Sequence, residues 1–511
     1  MSVGAGGLDL QRPPVLGGWR RFLALLGVAA IVAGWLQTGA TTDGLELEET
    51  AVDGVAVDAT VVEGVPVELW APEAVSAPAP GVVVVHGFAG SRQLMRSTAL
   101  ALARAGYVVA VPDLSGHGAN RAPLPRGDGA DAVLAAEVAA TLEVLDARPD
   151  VDGGKLGLLG HSLGSGAAMR VAIDDPQGIA ATVAVSPTDA QVSPEAPGDL
   201  LLLAGSRERR FVANAEDLLE RAGGASSLDR DAPARELVVV PGVEHVTILF
   251  SHTMHREAVG WFDAVFDHSR ESEPSAVRLG WWYLLHLAGV LVLWRSVAPV
   301  VVDRGDVEVR RGSPLLGLVA GGAVALGVLA IANAAVELTA VGGMLVGPVL
   351  AGWLFLTGVV WLRIGDRPAV PTGRELLWAV LLAGVLIAAV GLLAPRVWVP
   401  FWPDVVRVGY VPAFALAALP FTLAFAASAH GRRGWRGFAW YLVVAVVVLA
   451  LGGLAAALIP ALSFVALVLP VLPLCLGLAM IVWSPVQRPW AAAIATAVLV
   501  GWLPAVTLPL A

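Results

Sequence analysis

The stretch "KLGLLGHSLGSGAAM" at residues 155–169 places one serine, Ser162, between a short apolar run and an alanine-rich segment. The apolar run is typical of a buried strand, and the alanine-rich segment is typical of the start of a helix. Gly160 and Gly164 lie two residues before and two residues after the serine. Side chains at these positions would collide where a strand turns sharply into a helix, which explains the glycines. Ser162 is therefore predicted to project from the carboxyl end of a sheet, beside the N–H groups of a helix N-terminus.

The chain around this stretch predicts alternating strands and helices. Seven short apolar runs are predicted to be strands, at residues 65–69, 82–85, 107–111, 155–160, 181–186, 200–204 and 236–240. Helical patterns lie between them, for example at residues 93–105 and 130–147. Continuous apolar strands without alternation are typical of a parallel sheet that is buried on both faces. The predicted fold is therefore of the α/β class, with a doubly wound, mostly parallel sheet.

Composition divides the 511-residue chain into two unlike parts. Residues 40–276 contain 35 Asp or Glu and 16 Lys or Arg, whereas the remainder contains 8 acidic and 17 basic residues. An acidic block is predicted to face water and lacks the basic surface that nucleic-acid binding needs, so no nucleic-acid partner is expected. The only cysteine is Cys475, and the carboxylates and histidines lack metal-ligand spacing such as H-E-x-x-H. We therefore expect neither a metal nor another cofactor.

From residue 279 onward the chain consists of long apolar segments, and a membrane span needs about 20 such residues. Eight spans are predicted, at residues 279–297, 314–337, 341–362, 376–394, 410–429, 438–459, 461–484 and 490–510. Together they form a predicted membrane domain at residues 277–511. A shorter apolar run, at residues 22–36, follows Arg20 and Arg21. Within residues 1–39 this run is predicted to be a signal anchor or a cleaved signal peptide.

Arginines mark one side of the predicted membrane domain. They fall in alternate connections, at Arg295, Arg304, Arg310, Arg311, Arg363, Arg367, Arg374, Arg432, Arg433, Arg436 and Arg488. The opposite connections hold mainly Arg396 and Arg407. With the first run included, the positive-inside rule predicts nine spans in the cell membrane and an extracytoplasmic domain at residues 40–276. The Trp- and Pro-rich connection at residues 395–410 is predicted to lie at the outer interface beneath that domain, or to form an ordinary aromatic belt.

Candidate partners for Ser162 follow it in the sequence. A serine hydroxyl is a weak nucleophile until a base takes its proton, and that base needs an acid to orient it. In this architecture the expected order is serine, acid and histidine. Glu208 and His245 each lie in a loop that follows an apolar strand, and we predict them to be the acid and the base. Asp199 and Asp217 are alternative acids, and a solvated Glu208 paired with its neighbouring arginines is the structural alternative.

The stretch "VVVVHGFAGSRQ" at residues 82–93 predicts a second part of the site. It ends a strand in a turn rich in glycine, and such a turn supplies an N–H group to the oxyanion of acyl-transfer enzymes. We predict that the backbone N–H groups of Phe88 and Leu163 form this oxyanion hole. His86 precedes the serine in the sequence and is predicted to brace the turn rather than to act as the base.

With these motifs the chain resembles the α/β-hydrolase superfamily, and within it the esterase, lipase and acyl-peptidase group. The resemblance rests on "HGFAGS", "VPDLSGHGAN", "GHSLGSGAA" and "PGVEHVTILF", and it covers about residues 82–265. It implies hydrolysis of an ester, thioester or amide through an acyl-serine, and a structural role for Asp113. Glutamate at the acid position is a departure from the commoner aspartate. The segment at residues 187–199 is too short for a large lid, which favours an accessible small-molecule or lipid-like acyl substrate.

The predicted spans contain few polar groups that suggest chemistry. These are His286, Asn333 and Glu337. We therefore expect the spans to be an anchor or scaffold in contact with membrane lipids. Two alternatives stay open: a transport or lipid-handling domain with His286 and Glu337 in its pathway, and a hydrolase-like domain that only binds.

Overall fold

The computed structural model describes residues 16–511 except for several short segments. The segments outside the description are 53–54, 58–59, 63, 74–77, 229–231, 271–275, 303–306, 337, 339–340 and 459–468. The predicted polar residue Glu337 therefore lies outside the described residues.

An eight-stranded sheet forms the centre of the first half of the chain. Its strands, in spatial order, are β1 (Leu45–Val52), β4 (Val65–Pro72), β6 (Val108–Pro112), β5 (Ala79–Val85), β7 (Val151–His161), β8 (Ala181–Val185), β9 (Asp199–Gly205) and β10 (Arg235–Val240). The six strands from β6 to β10 are parallel, whereas β1 and β4 are antiparallel to their neighbours. Two short strands, β2 (Val55–Val57) and β3 (Thr60–Val62), pair with each other outside this sheet. The prediction of a mostly parallel sheet is confirmed, and β1 to β3 were not predicted.

Helices cover both faces of the sheet. They are α2 (Arg92–Arg104), α3 (Asp128–Asp146), α4 (Leu163–Asp174), α5 (Arg209–Arg221) and α6 (His252–Phe266), with a 3₁₀ turn at Thr247–Phe250. Alternate residues of β5 belong to different cores: Val82 and Val84 pack with α2 and α6, whereas Val83 and Val85 pack with α3 and α4. Because successive strand side chains point to opposite faces, this apolar run is buried on both sides.

The strand order changes direction between β5 and β7. The chain runs from β5 to β6 on one side, and from β7 through β8 and β9 to β10 on the other. Ligands of open α/β sheets bind at such a point, outside the carboxyl ends of the strands. The turn at residues 86–90 follows β5 and Ser162 follows β7, so both lie at this position.

Eight helices among the described residues are long and apolar enough to cross a membrane. They are α1 (Gly18–Ala40), α7 (Leu279–Val301), α8 (Pro314–Ala335), α9 (Gly347–Ile364), α10 (Gly373–Gly391), α11 (Tyr410–Ala429), α12 (Trp435–Leu458) and α14 (Pro489–Thr507). We call these helices, the shorter α13 (Val471–Trp483), their connections and residues 508–511 the apolar helical region. The connections include a 3₁₀ turn at Ala394–Arg396 and the two-residue strands β11 (Val309–Arg310) and β12 (Arg367–Pro368).

Three predicted segments differ from the structure. Helix α1 has 23 residues and is longer than the apolar run at 22–36, because the helix continues at both ends of that run. Helix α9 begins at Gly347, because residues 341–346 form an irregular connection rather than the first turns of a span. Of the predicted span at residues 461–484, only the 13-residue helix α13 and its flanks are described.

Candidate active site

Ser162 occupies a strained turn between β7 and α4. Its φ is +52° and its ψ is −123°, a backbone conformation that side-chain-bearing residues rarely adopt. A Cβ atom on Gly160 would lie 2.6 Å from Cα of Ser165, and one on Gly164 would lie 2.8 Å from the Val85 carbonyl oxygen. Both distances are too short for a real side chain. The steric reason predicted for the two glycines is therefore confirmed.

The structure brings Ser162, His245 and Glu208 into one hydrogen-bonded chain. His245 Nε2 lies 3.1 Å from Ser162 Oγ, and His245 Nδ1 lies 2.9 Å from Glu208 Oε2. All three residues are buried, with relative exposures of 7–8%. Since the carboxylate can only accept, the ring carries its proton on Nδ1 and leaves Nε2 to accept the serine hydroxyl. This is the arrangement in which a histidine can remove the proton of a serine.

Glu208 is held by two groups besides the histidine. Its Oε1 accepts hydrogen bonds from Ser186 Oγ at 2.7 Å and from the Gly205 N–H at 2.5 Å. The two alternative acids have other partners: Asp217 pairs with Arg221, and Asp199 accepts the N–H of Ala234. Glu208 is thus the carboxylate in contact with His245.

Two further side chains fix His245, and neither was predicted from the sequence. The ring of Phe211 stacks on the His245 ring at a centroid distance of 4.3 Å. His161 Nε2 donates to the backbone carbonyl of His245 at 2.9 Å. Burial holds the pKa of His161 well below its usual value, so that ring is neutral. His161 is the residue between Gly160 and Ser162 in the G-x-S-x-G motif. This position was the sequence signal that could have identified it as part of the site.

The turn after β5 lies against the serine. A Cβ atom on Gly87 would lie 2.9 Å from Cβ of Ser162. The Gly90 N–H donates to the Gly87 carbonyl at 3.0 Å, and Ala89 has a φ of +55°. Phe88 lies in the middle of this turn. Leu163 is the first residue of α4, where N–H groups have no partner within the helix. The predicted oxyanion donors therefore belong to the two backbone segments next to Ser162.

His86 braces this turn through both ring nitrogens. Its Nδ1 donates to the Gly87 carbonyl at 2.8 Å, and its Nε2 accepts the Leu114 N–H at 3.1 Å. Burial lowers the pKa of His86, and the nearby charge of Asp113 opposes this effect. The ring is fully occupied by backbone partners and lies apart from the hydrogen bonds of Ser162. This geometry agrees with the predicted bracing role.

Asp113 also has backbone partners. Its carboxylate accepts the N–H groups of Arg92 at 2.8 Å and Ala119 at 2.9 Å. Burial raises its pKa, whereas the charge of Arg92 lowers it. A side chain on Gly118, which has a φ of +54°, would collide with this carboxylate. Asp113 thus joins the start of α2 to the turn at residues 114–120, which agrees with a structural role.

Glu137 is a buried carboxylate that the local sequence pattern does not indicate. It lies on α3, and its Oε2 accepts the Ser115 N–H at 2.9 Å. Its Oε1 accepts Ser115 Oγ at 2.7 Å and Asn120 Nδ2 at 3.1 Å. Burial raises the pKa of Glu137 to about 7, against the opposing effect of these hydrogen bonds. Within the described ranges, no three His, Cys, Asp or Glu side chains are grouped so that they could hold a metal ion.

Comparison with known proteins agrees with the fold of this part of the chain. The family model of the α/β hydrolase fold matches residues 80–249. Residues 80–249 thus have the α/β hydrolase fold. We therefore call the sheet and the helices that cover it the hydrolase domain. The turn at residues 86–90, Ser162, Glu208 and His245 all lie inside the matched segment.

Individual relatives match this chain over different lengths. Two uncharacterised proteins of Mycobacterium tuberculosis (strains CDC 1551 / Oshkosh and ATCC 25618 / H37Rv) are each 31% identical over 191 residues. These matches cover 34% of this chain, which spans 66% of the length of the two relatives. A thermostable monoacylglycerol lipase of Bacillus sp. (strain H-257) is 44% identical over 57 residues, which is 11% of this chain and 23% of that lipase. A dienelactone hydrolase structure from Anabaena variabilis aligns with a TM-score of 0.32 and 22% identity, over 44% of this chain and 99% of that one.

The polar groups of the apolar helical region lie at helix contacts. His286 is buried on α7, where its Nε2 donates to the Ala388 carbonyl at 3.1 Å. Its ring meets Trp35 of α1 edge-on at a centroid distance of 6.3 Å. Asn333 accepts the N–H of Leu338 at 3.1 Å. The His286 contacts join neighbouring helices, and the Asn333 contact lies at the C-terminal end of α8. The transport alternative stays a prediction.

Proposed function

We propose that this protein is a serine hydrolase that cleaves an ester, thioester or amide through an acyl-serine intermediate. The observation that carries the proposal is the hydrogen-bonded chain from Ser162 through His245 to Glu208. His245 Nε2 takes the hydroxyl proton as Ser162 Oγ attacks the carbonyl carbon. The same proton then passes to the leaving group, and the bond between that group and the acyl carbon breaks. A water molecule, activated by His245, releases the acid and restores Ser162.

The surrounding groups stabilise the charges that this reaction creates. The imidazolium formed on His245 lies beside the Glu208 carboxylate, which Ser186 and Gly205 orient. The negative oxygen of the tetrahedral intermediate accepts the N–H groups of Phe88 and Leu163. Donors that are already in place need no reorganisation when charge develops, and one of them is typically worth ~10²–10³ in rate.

Acyl esters of small alcohols or lipids are the substrates we propose. Only 13 residues, 186–198, connect β8 and β9, which leaves little chain for a lid at this point. The relative that matches over 57 residues is a monoacylglycerol lipase. Monoacylglycerols with acyl chains of increasing length are therefore the first substrates to test.

Labelling with a fluorescent fluorophosphonate tests the reaction class. The full chain in membranes should label covalently, whereas Ser162→Ala should not. Ser226→Ala is the matched control, because Ser226 is an exposed serine of the same domain. Failure of the wild type to label would favour the alternative of a domain that only binds. Equal labelling of Ser162→Ala would disprove the assignment of the nucleophile.

We also propose that the hydrolase domain lies on the extracytoplasmic side of the cell membrane. Segments that are predicted to lie on the same side of the membrane as this domain make contacts with it. Asp404 pairs with Arg121 at 2.9 Å, and the Leu510 N–H donates to the Gly116 carbonyl at 2.9 Å. Connections rich in arginine meet each other instead. Arg311 pairs with Asp366 at 2.9 Å and donates to the His430 carbonyl at 3.1 Å. These two sets of contacts support a placement of the domain on one side of the membrane and of the arginine-rich connections on the other.

Cysteine accessibility tests this orientation. The single native cysteine is first removed by Cys475→Ala, and Glu216→Cys or Arg433→Cys is then added. Both added positions are exposed, one on α5 and the other between α11 and α12. In intact cells, a membrane-impermeant maleimide should label Glu216→Cys, and it should label Arg433→Cys only after permeabilisation. The reverse pattern would contradict the proposed orientation.

A further inference from the structure

The turn that carries Phe88 is packed on two sides by other segments. On one side the ring of His117 lies 5.9 Å from the Phe88 ring, edge-on, and 5.0 Å from the His86 ring. On the other side Ala89 packs against residues of the apolar helical region, which are Met344, Phe414, Ala505, Leu508 and Leu510. We call this turn, residues 86–90, the oxyanion turn. It is thus enclosed between the rest of the hydrolase domain and the apolar helical region.

Arg407 joins the two sides of this arrangement. It lies in the connection between α10 and α11, and only 2% of its surface is exposed. Its Nη2 donates to the carbonyl of Gly116, in the turn next to His117. Its Nη1 donates to the carbonyls of Leu508 at 2.8 Å and Ala505 at 3.1 Å. One planar guanidinium therefore binds three backbone carbonyls from two distant parts of the chain.

Backbone pairing reinforces the same contact. The Leu510 N–H donates to Gly116 at 2.9 Å, and the Leu124 N–H donates to the Leu510 carbonyl at 2.9 Å. The Leu345 N–H donates to Pro509 at 2.8 Å. Segment 508–511 thus lies between residues 116–124 of the hydrolase domain and residues 341–346 before α9. Movement of this segment would carry Gly116 and the adjacent His117 with it.

We propose that Arg407 is a positioning residue for the oxyanion turn. Through Gly116 it fixes the His117 ring, and this ring together with Leu510 holds the turn so that the Phe88 N–H faces the oxygen of the attacked carbonyl. The inference rests on the proposed serine hydrolase. It adds that the site is complete only when the apolar helical region is folded against the domain. Loss of the guanidinium would remove this donor from the Ala505 and Leu508 carbonyls and leave Gly116 with the Leu510 N–H alone, which would loosen the turn.

The rate of phosphonylation of Ser162 reports on this role. The phosphoryl oxygen of a fluorophosphonate occupies the oxyanion hole during attack, so the second-order rate depends on the Phe88 N–H. The end-point of the same labelling reaction counts the molecules that are folded and have a competent nucleophile. The full chain in detergent micelles is used for both measurements. The variants are Arg407→Met, Arg407→Lys and Leu510→Ala, and the matched control is Arg396→Met.

Arg396 suits the control because it lies in the same connection but stacks over Trp35, away from the turn. We expect Arg407→Met to label to the wild-type end-point at a rate that is lower by roughly 10- to 100-fold, which is less than the full loss of one oxyanion donor. Arg407→Lys keeps the charge without the planar fork and should recover part of the rate. Arg396→Met should label at the wild-type rate.

Leu510→Ala keeps the backbone bonds and reduces side-chain packing in the cluster against which Ala89 lies, so it tests the proposal even if Arg407→Met does not fold. We expect it to slow labelling about 3- to 10-fold, because small displacements of catalytic groups have large effects on rate. An unchanged rate in the Arg407 and Leu510 variants, with or without a lower end-point, would overturn the positioning role. A wild-type protein that does not label at all would instead overturn the proposed function.

Discussion

Gly87 and Ser162 lie close together just after the carboxyl ends of the neighbouring parallel strands β5 and β7. A Cβ atom added to Gly87 would lie only 2.9 Å from Cβ of Ser162. The same Cβ atom would lie 3.0 Å from His161 Nδ1 and 3.1 Å from the His161 carbonyl oxygen. The turn that holds Phe88 can approach the serine this closely only with glycine at position 87. The contact joins the proposed nucleophile to the proposed oxyanion donor.

The first prediction concerns this contact. Gly87→Ala should lower the rate of fluorophosphonate labelling roughly 100-fold, since a shift of about 1 Å can cost that much in rate. The matched control is Gly260→Ala, which adds a methyl group on α6 where nothing lies within 4 Å. The control should label at the wild-type rate. A Gly87→Ala variant that labels at the wild-type rate would show that the reactivity of Ser162 does not depend on the close approach of this turn.

The second prediction concerns the acid. Glu208→Gln should lower kcat/KM for an acyl ester by roughly 10³- to 10⁴-fold, because an amide cannot orient and stabilise the imidazolium as a carboxylate does. Ser186→Ala removes one hydrogen bond to this carboxylate and should cost about tenfold. Asp217→Asn changes the alternative acid on α5 and should stay within about twofold of the wild type. A large loss in Asp217→Asn, with Glu208→Gln active, would reverse the assignment.

The third prediction is a pH dependence of stability that arises from Glu137. Its pKa is raised from 4.5 to about 7 in the folded protein. Between these values the unfolded chain has lost the proton while the folded protein retains it. Unfolding therefore releases a proton, and the stability that this group contributes is complete below pH 4.5 and lost as the pH rises through 7. The whole loss is on the order of 3 kcal/mol, at about 1.4 kcal/mol per pKa unit.

Thermal unfolding of the full chain in detergent, measured from pH 4.5 to 8, checks this prediction. Glu137→Gln has no proton to lose and should weaken the dependence of the unfolding midpoint on pH. Glu143→Gln, an exposed change on the same helix, should leave it as in the wild type. Identical pH profiles for the wild type and Glu137→Gln would contradict the raised pKa.

The fourth prediction concerns the packing of α1 on α7. A Cβ atom on Gly27 would lie 2.8 Å from the Gly289 carbonyl oxygen, and one on Gly289 would lie 2.8 Å from that of Gly27. Such a reciprocal approach of two backbones requires small residues. Gly289→Ile should therefore destabilise the chain by on the order of 1–3 kcal/mol, which a lower unfolding midpoint in detergent would show.

Gly384→Ile is the matched control, since nothing lies within 4 Å of a Cβ atom at this position on α10. The prediction requires that α1 remains attached to the mature chain, as a signal anchor would. Intact-mass analysis of the purified protein should find residues 18–40 retained. A mass that corresponds to cleavage after Ala40 would favour the signal peptide and remove the reason for the Gly289 effect.

Most features of the hydrolase domain could be predicted because they depend on neighbouring residues. Gly160 and Gly164 indicated a tight turn, and the loops after two apolar strands contained Glu208 and His245. The limits of the strands differed by a few residues, as with β7, which begins at Val151 rather than at the predicted residue 155. Strand ends depend on pairing with neighbours, which local apolar runs do not report.

The N-terminal strand β1 illustrates what local patterns missed. Its sequence, "LELEETAV", is rich in acidic residues, and four consecutive residues, Glu46–Glu49, are exposed. The segment is a strand because it pairs antiparallel with β4 over eight residues. Backbone hydrogen bonds to an existing sheet edge thus outweighed the low strand preference of its glutamates.

The sequence by itself determined the turn at Ser162, the order of Ser162, Glu208 and His245 along the chain, and the division into an acidic α/β block and apolar helices. Steric crowding and hydrophobic pattern act over a few residues and can be read directly. Only the tertiary structure decided which distant groups hold the site. Ser186 reaches Glu208 across the ends of two strands, and Arg407 reaches Gly116 over 291 positions in the chain. Such contacts depend on how whole elements pack, because a buried polar group bonds to whichever partner the packing brings near.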